Sequence, residues 1–168
     1  MGISELRQLG PRWDAGSEKQ RRSGALGREL VRTGTVSTSD MALAELMQRH
    51  CDTSLDRILR AEGLASEDDL LTAHARRLAT RRITPEALTK APAIDSGLDP
   101  RVLLKHGALA IRDGDGVPRI VADGGDSLVA LRRVLPPDLA KVRALMAPRA
   151  HVQARLARAY REDLRALA

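Results

Sequence analysis

A pattern written twice constrains this chain more than any other feature. Leu26, Leu30, Gly34, Val36, Met41 and Gln48 recur 29 residues later as Leu55, Leu59, Gly63, Ala65, Leu70 and Arg77. A fixed offset held over six positions marks a duplicated unit. Each copy reads as a short helix, a glycine stop, a Ser-x-x-Asp start (Ser37 to Asp40, Ser66 to Asp69) and a second helix. Glycine takes the left-handed conformation that ends a helix at no steric cost, and a serine hydroxyl accepts the orphan amides of the next helix. The spacing predicts helices near 25–33, 38–50, 54–62 and 67–80. In the first helix of each copy the leucines at i and i+4 form an apolar stripe. Met41, Ala44 and Met47, then Leu70, Ala73 and Leu78, supply facing side chains from the second helices. Neither helix pair can bury its stripe alone, so residues 25–83 are expected to stack as one lobe around a shared core, with a groove at the loop between helices.

The flanks differ in character. Residues 1–24 are polar and broken by Gly10, Pro11, Gly16 and Gly24, the pattern of a flexible arm. In it Trp13 either docks or is simply exposed, and Lys19, Arg21 and Arg22 form a charge cluster just ahead of the repeat. Residues 84–168 begin with breakers (Pro85, Pro92, Ser96, Gly97, Pro100) read as a linker. A helix is expected over 99–106, with Pro100 at its first position and Gly107 as its stop. Apolar runs 108–112 and 117–122 flank Asp113-Gly114-Asp115-Gly116 and spell a β-hairpin. A calcium loop would need a further oxygen ligand where Val117 stands and a downstream glutamate. A helix at 126–135, a strand at 141–147 and a long helix at 148–166 complete the order α-β-β-α-β-α, a small sheet with helices on it. The fold class expected for the chain is therefore α+β. The last helix carries Arg149, Arg155, Arg158, Arg161 and Arg165 and lacks a capping signal, which reads as a piece of something larger.

Composition narrows the function. Of 28 basic residues 24 are arginine, against 22 acids, giving +6. There is no Phe, one Trp and one Tyr, so base stacking on aromatic platforms has almost nothing to work with. The single Cys51 excludes an internal disulfide and fits a reducing compartment. No apolar run approaches the ~18 residues of a membrane span, so the expected location is cytoplasmic, at the inner face of the membrane only through a partner. No phosphate loop, dinucleotide fingerprint, nucleophile elbow or zinc-protease motif is present. His50 beside Cys51 makes no metal site without further ligands, and Cys51 is expected at a buried or boundary position. His74 and His106 read as structural or exposed. The expectation is a protein that is not an enzyme and carries no metal.

The series Leu26-Gly27-x-x-Leu30-x-x-x-Gly34, Ser37, Met41, Gln48, followed by Leu55-Asp56-x-x-Leu59-x-x-x-Gly63, Ser66, Leu70, Arg77, resembles the tandem motif of the type II secretion ATPase N-terminal domain, or MshE N-terminal domain. The second half agrees, from Leu98-Asp99-Pro100 through the hairpin to Val142–Ala147 and Pro148-Arg149. The resemblance covers roughly residues 25–165. It implies a regulatory module at the front of a secretion or pilus ATPase or of a bacterial glycosyltransferase, the latter slightly preferred on the Arg/Ala-rich style, with cyclic di-GMP as ligand. The ligand-binding residues it implies are Leu26, Gly27, Arg28, Leu30, Gly34, Met41 and Gln48 in the first copy, and Leu55, Arg57, Leu59, Gly63, Leu70 and Arg77 in the second.

Such a motif would hold a cyclic dinucleotide by ordinary means. Glycine lets backbone approach, a helix N-terminus offers amides to phosphate, leucines pack under purine, and Gln or Arg reads a guanine edge. The sequence departs from the family's pattern, since its opening arginine is Ala25 and Ser54, and Asp56 replaces the glycine kept as Gly27. The first copy is therefore expected to dominate. A protein-docking adaptor that has lost the nucleotide is the rival. DNA binding is disfavoured, because Asp40, Asp68 and Asp69 open the second helices where bases would have to be met.

Overall fold

The computed structural model describes residues 24–166, so the expected arm, with Trp13, Lys19, Arg21 and Arg22, lies outside the described residues. The chain divides into two compact units, Met1–Ser66 and Glu67–Ala168. The division falls within the second repeat copy rather than near residue 83.

In the first unit, α1 (24–32), α2 (Thr38–His50) and α3 (Leu55–Ala61) follow one another through tight turns. Leu26, Leu30, Val36, Met41, Ala44, Leu55, Ile58, Leu59 and Ala65 are buried. The turns after α1 and α3 match bond by bond. Gly34 and Gly63 have φ of 73° and 67°. Thr35 and Val36 amides donate to the Leu30 carbonyl at 3.0 and 3.3 Å, and Leu64 and Ala65 amides donate to the Leu59 carbonyl at 2.9 and 3.2 Å. These bonds satisfy carbonyls that the helix end would otherwise leave open. Ser37 then caps α2, its Oγ accepting from the Asp40 amide at 3.1 Å. Cys51, expected at a buried or boundary position, is exposed and is the C-cap residue of α2.

The second unit opens with α4 (Glu67–Arg77), then β1 (Arg81–Arg82), α5 (Pro85–Lys90), α6 (Pro100–His106), β2 (Ala108–Arg112) and β3 (Pro118–Ala122). It closes with α7 (Gly125–Arg132), α8 (Pro137–Ala140), β4 (Ala144–Met146) and α9 (Arg149–Ala166). The strands lie in the order β1-β4-β3-β2, with β2 and β3 antiparallel and the other pairs parallel. The fold is α+β, as expected. Leu71 and Ala75 of α4 join Leu88, Leu109, Ile111, Ile120, Leu128, Leu131, Met146 and Val152 in the core around this sheet. That burial puts Leu71 and Ala75 of the fourth repeat helix in the core around the sheet.

Three elements differ from expectation. The stretch at Pro85 is a helix, not a linker, because Thr84 caps it (Oγ1 accepting from the Ala87 amide at 3.2 Å) and proline sits in its first turn, where no amide is needed. The same proline logic produces α8. β4 is shorter than the expected strand because it begins at Ala144, the partner of Ile120 on β3. The arginines of α9 are not all solvated, since Arg155 is buried and its Nε and Nη2 donate to the Ala91 carbonyl at the end of α5, at 3.2 and 2.8 Å. Asp113 works as a turn residue. Its Oδ1 accepts from the Asp115 and Val117 amides at 3.0 and 2.9 Å, and its Oδ2 from Arg119 Nε at 2.7 Å.

Gly107 ends α6 with φ 58°, and a side chain there would strike the Asp123 carboxylate. Gly107→Ala should therefore destabilise the chain by more than the ~1–2 kcal/mol of the left-handed conformation alone, as read by denaturant unfolding. A second expectation concerns acid. The Arg101 side chain, then its amide, hold the Asp99 carboxyl at about 2. That is below the ordinary value of about 3.9. Because the folded value is the lower one, this contact contributes stability above about pH 4 and loses it as pH falls toward 2. NMR titration should find Asp99 near 2 and Arg101→Ala should raise it.

Candidate functional site

The residues of the first repeat copy all lie in the first unit. α1 buries Leu26 and Leu30 and leaves Arg28 exposed. Gly34, at the turn, is exposed; Met41 is buried on α2, and Gln48, near the end of α2, is half-buried. Gly27 has an added role. A Cβ at this position would lie 3.0 Å from Met41 Sδ and 3.3 Å from Glu45 Oε1, so the glycine sits where α1 meets α2. Close helix contact, rather than open room for a ligand, is the visible reason for it. In the second copy Leu55 and Leu59 are buried on α3, Arg57 is exposed, Asp56 is half-buried and Gly63 is exposed at its turn.

Leu70 and Arg77, the last two expected site residues, belong to the second unit. Leu70 is buried. Arg77 does not stand open as a base-reading side chain. Its Nη2 lies 3.5 Å from His74 Nδ1, and a Cβ on Gly125 would approach that same Nη2 to 2.5 Å. Gly125, the first residue of α7, is thus a glycine against which the Arg77 guanidinium packs. The leucines expected under a purine are core residues, as is Met41, and the expected site residues on the surface are Arg28, Gly34, Arg57 and Gly63, with Gln48 partly so.

A second feature went unseen in the sequence. The second unit holds a cleft of about 890 Å³, walled by the α4–β1 connection and β1, the start of β4, α5 and the hairpin tip. Seven arginine and lysine side chains line it against two aspartates. Arg82 is bonded to Asp68 and to Thr72, and Arg119 to Asp113. The only local signal was the Arg81-Arg82 pair, because the remaining cations come from elements far apart in the chain.

A helical first unit and a four-stranded mixed sheet with helices in the second make the class α+β. The chain has the fold of the type II secretion ATPase N-terminal domain. It is similar to the solved structure of MshE with cyclic di-GMP, at 29% identity over 80% of this chain and 98% of that one, with a TM-score of 0.63. It is also similar to the structure of the N-terminal domain of XpsE, at 18% identity over 80% and 93% of the two chains, with a TM-score of 0.60. No family model and no curated protein matches the sequence. Among the described residues no helix is long and apolar enough to cross a membrane.

The packing at Gly27 generates a stability prediction. Gly27→Ala should be near neutral, since about 0.5–1 kcal/mol of helix preference offsets a contact that the flexible Met41 can relieve. Gly27→Val should cost roughly 1–3 kcal/mol by overpacking, measured by denaturant unfolding.

Proposed function

We propose that this chain is a non-catalytic regulatory module that binds cyclic di-GMP and controls an attached bacterial glycosyltransferase or secretion/pilus-type ATPase on the cytoplasmic side of the membrane. The observation that carries the reading is the likeness to MshE, solved with cyclic di-GMP, over 98% of that chain. The twin turns at Gly34 and Gly63 support it. Each left-handed glycine exposes backbone, the first directly ahead of α2, whose N-terminal amides can receive a phosphate. Arg28 and Arg57 lie exposed on the helices before those turns and supply positive charge.

The rival reading is a docking adaptor of the same fold without nucleotide. It is favoured by the engagement of Arg77 with His74 and Gly125, which removes a base-reading group from the second copy.

Calorimetry with cyclic di-GMP separates the two. Gln48 and Asp56 are the informative positions, because changes at Gly27 or Leu30 also disturb packing. Gln48→Ala should weaken binding by roughly 1–3 kcal/mol, the scale of a lost polar contact to a base edge. Asp56→Gly should tighten it, since a carboxylate near phosphate is repelled. No heat with the parent chain and with Asp56→Gly would leave the adaptor.

A further inference from the structure

The basic cleft of the second unit is built like a small-molecule site and has no role in the proposed cyclic di-GMP binding. Its volume, about 890 Å³, falls within the roughly 300–1,000 Å³ of ligand pockets. Leu78, Ile83 and Leu145, each half-buried, give it an aliphatic lining. Around them stand Arg81, Lys90, Arg112, Arg132 and Arg143, exposed and without a carboxylate partner among the described residues. Arg112 and Arg132 reach only backbone carbonyls, of Gly116 at 3.1 Å and Val142 at 3.4 Å. Like charges gathered on one concave wall repel one another, and the two lining aspartates leave most of that charge unbalanced. An anion in the cleft would relieve this.

We infer that this cleft binds a small molecule carrying at least two phosphate groups, of about nucleoside diphosphate size. Guanidinium forks pair bidentately with phosphate oxygens, which favours phosphate over a single carboxylate. Several separate cations around one pocket call for more than one anionic group, and the aliphatic lining takes the uncharged remainder of the ligand. An acidic protein segment is less suited. The one strand edge available to it, β1, is only two residues long, too short for a ladder of main-chain bonds.

ADP is the probe, titrated into the full chain by calorimetry at low and physiological salt. Saturable binding at one site per chain is expected, competed by inorganic pyrophosphate and absent with adenosine. Changing Arg81→Gln together with Arg143→Gln should weaken ADP at least about tenfold, with Arg143→Lys recovering part of the loss. Neither arginine has a partner among the described residues, so the melting temperature should hold. Arg161→Gln, an equal loss of charge on the exposed face of α9, should leave ADP affinity unchanged. The inference is overturned by failure to saturate at millimolar ADP, by an equal loss in Arg161→Gln, or by hexaglutamate displacing ADP at lower concentration than pyrophosphate does. The last result would assign the cleft to an acidic protein partner. Since cyclic di-GMP is tested separately, either site can fail alone.

Discussion

The left-handed glycine that ends a helix is the constraint from which the rest of this structure follows. A helix leaves its last carbonyls without partners, and a residue at positive φ turns the chain so that the next amides can supply them. This happens at Gly34, Gly63 and Gly107. At the first two the turn directs the chain into the next helix of the repeat. At Gly107 it directs the chain into β2, and the Asp123 amide donates to the Gly107 carbonyl at 3.0 Å, tying the start of the hairpin to its end. There the glycine is required twice over, by its φ and by the carboxylate against it.

Arginine dominates the charge of this protein, and its side chains have three distinct fates. Arg155 is buried, binding the carbonyl at the end of α5, where a cation also meets the negative end of the helix dipole. Arg77 lies along Gly125 and His74, using its planar group for packing as much as for charge. The arginines around the large cleft have neither role, and two of them reach only backbone carbonyls. Charge alone therefore says little about what an arginine does here. Neighbours decide it.

The proposed ligand site and the basic cleft belong to different compact units, and they differ in how they are made. The former rests on short-range features, a helix, a turn and the next cap, each encoded within about a dozen residues. The latter is assembled from strand starts, a hairpin tip and α5. The proposed nucleotide site thus depends on backbone amides at a helix start, and the inferred phosphate site on side-chain guanidinium groups.

What the sequence determined alone was whatever depends on neighbours a few residues away. The matching burial of Leu26 with Leu55, Leu30 with Leu59 and Val36 with Ala65, the twin glycine turns, the Ser37 cap, the Pro100 start and the hairpin at Asp113 were all legible, because each follows from local conformational preference and apolar period. The proline of α5 carried two local meanings, breaker or first-turn residue, and the Thr84 cap selects the second. Tertiary structure alone decided the rest. Which surface buries Leu71 and Ala75 of α4 is a tertiary choice, and they enter the core around the sheet. That choice sets the Arg77 guanidinium beside Gly125, 48 positions along the chain. Arg155 finds Ala91 at a separation of 64 residues. The cleft likewise joins cations from both sides of the sheet's sequence, a juxtaposition that no local period records.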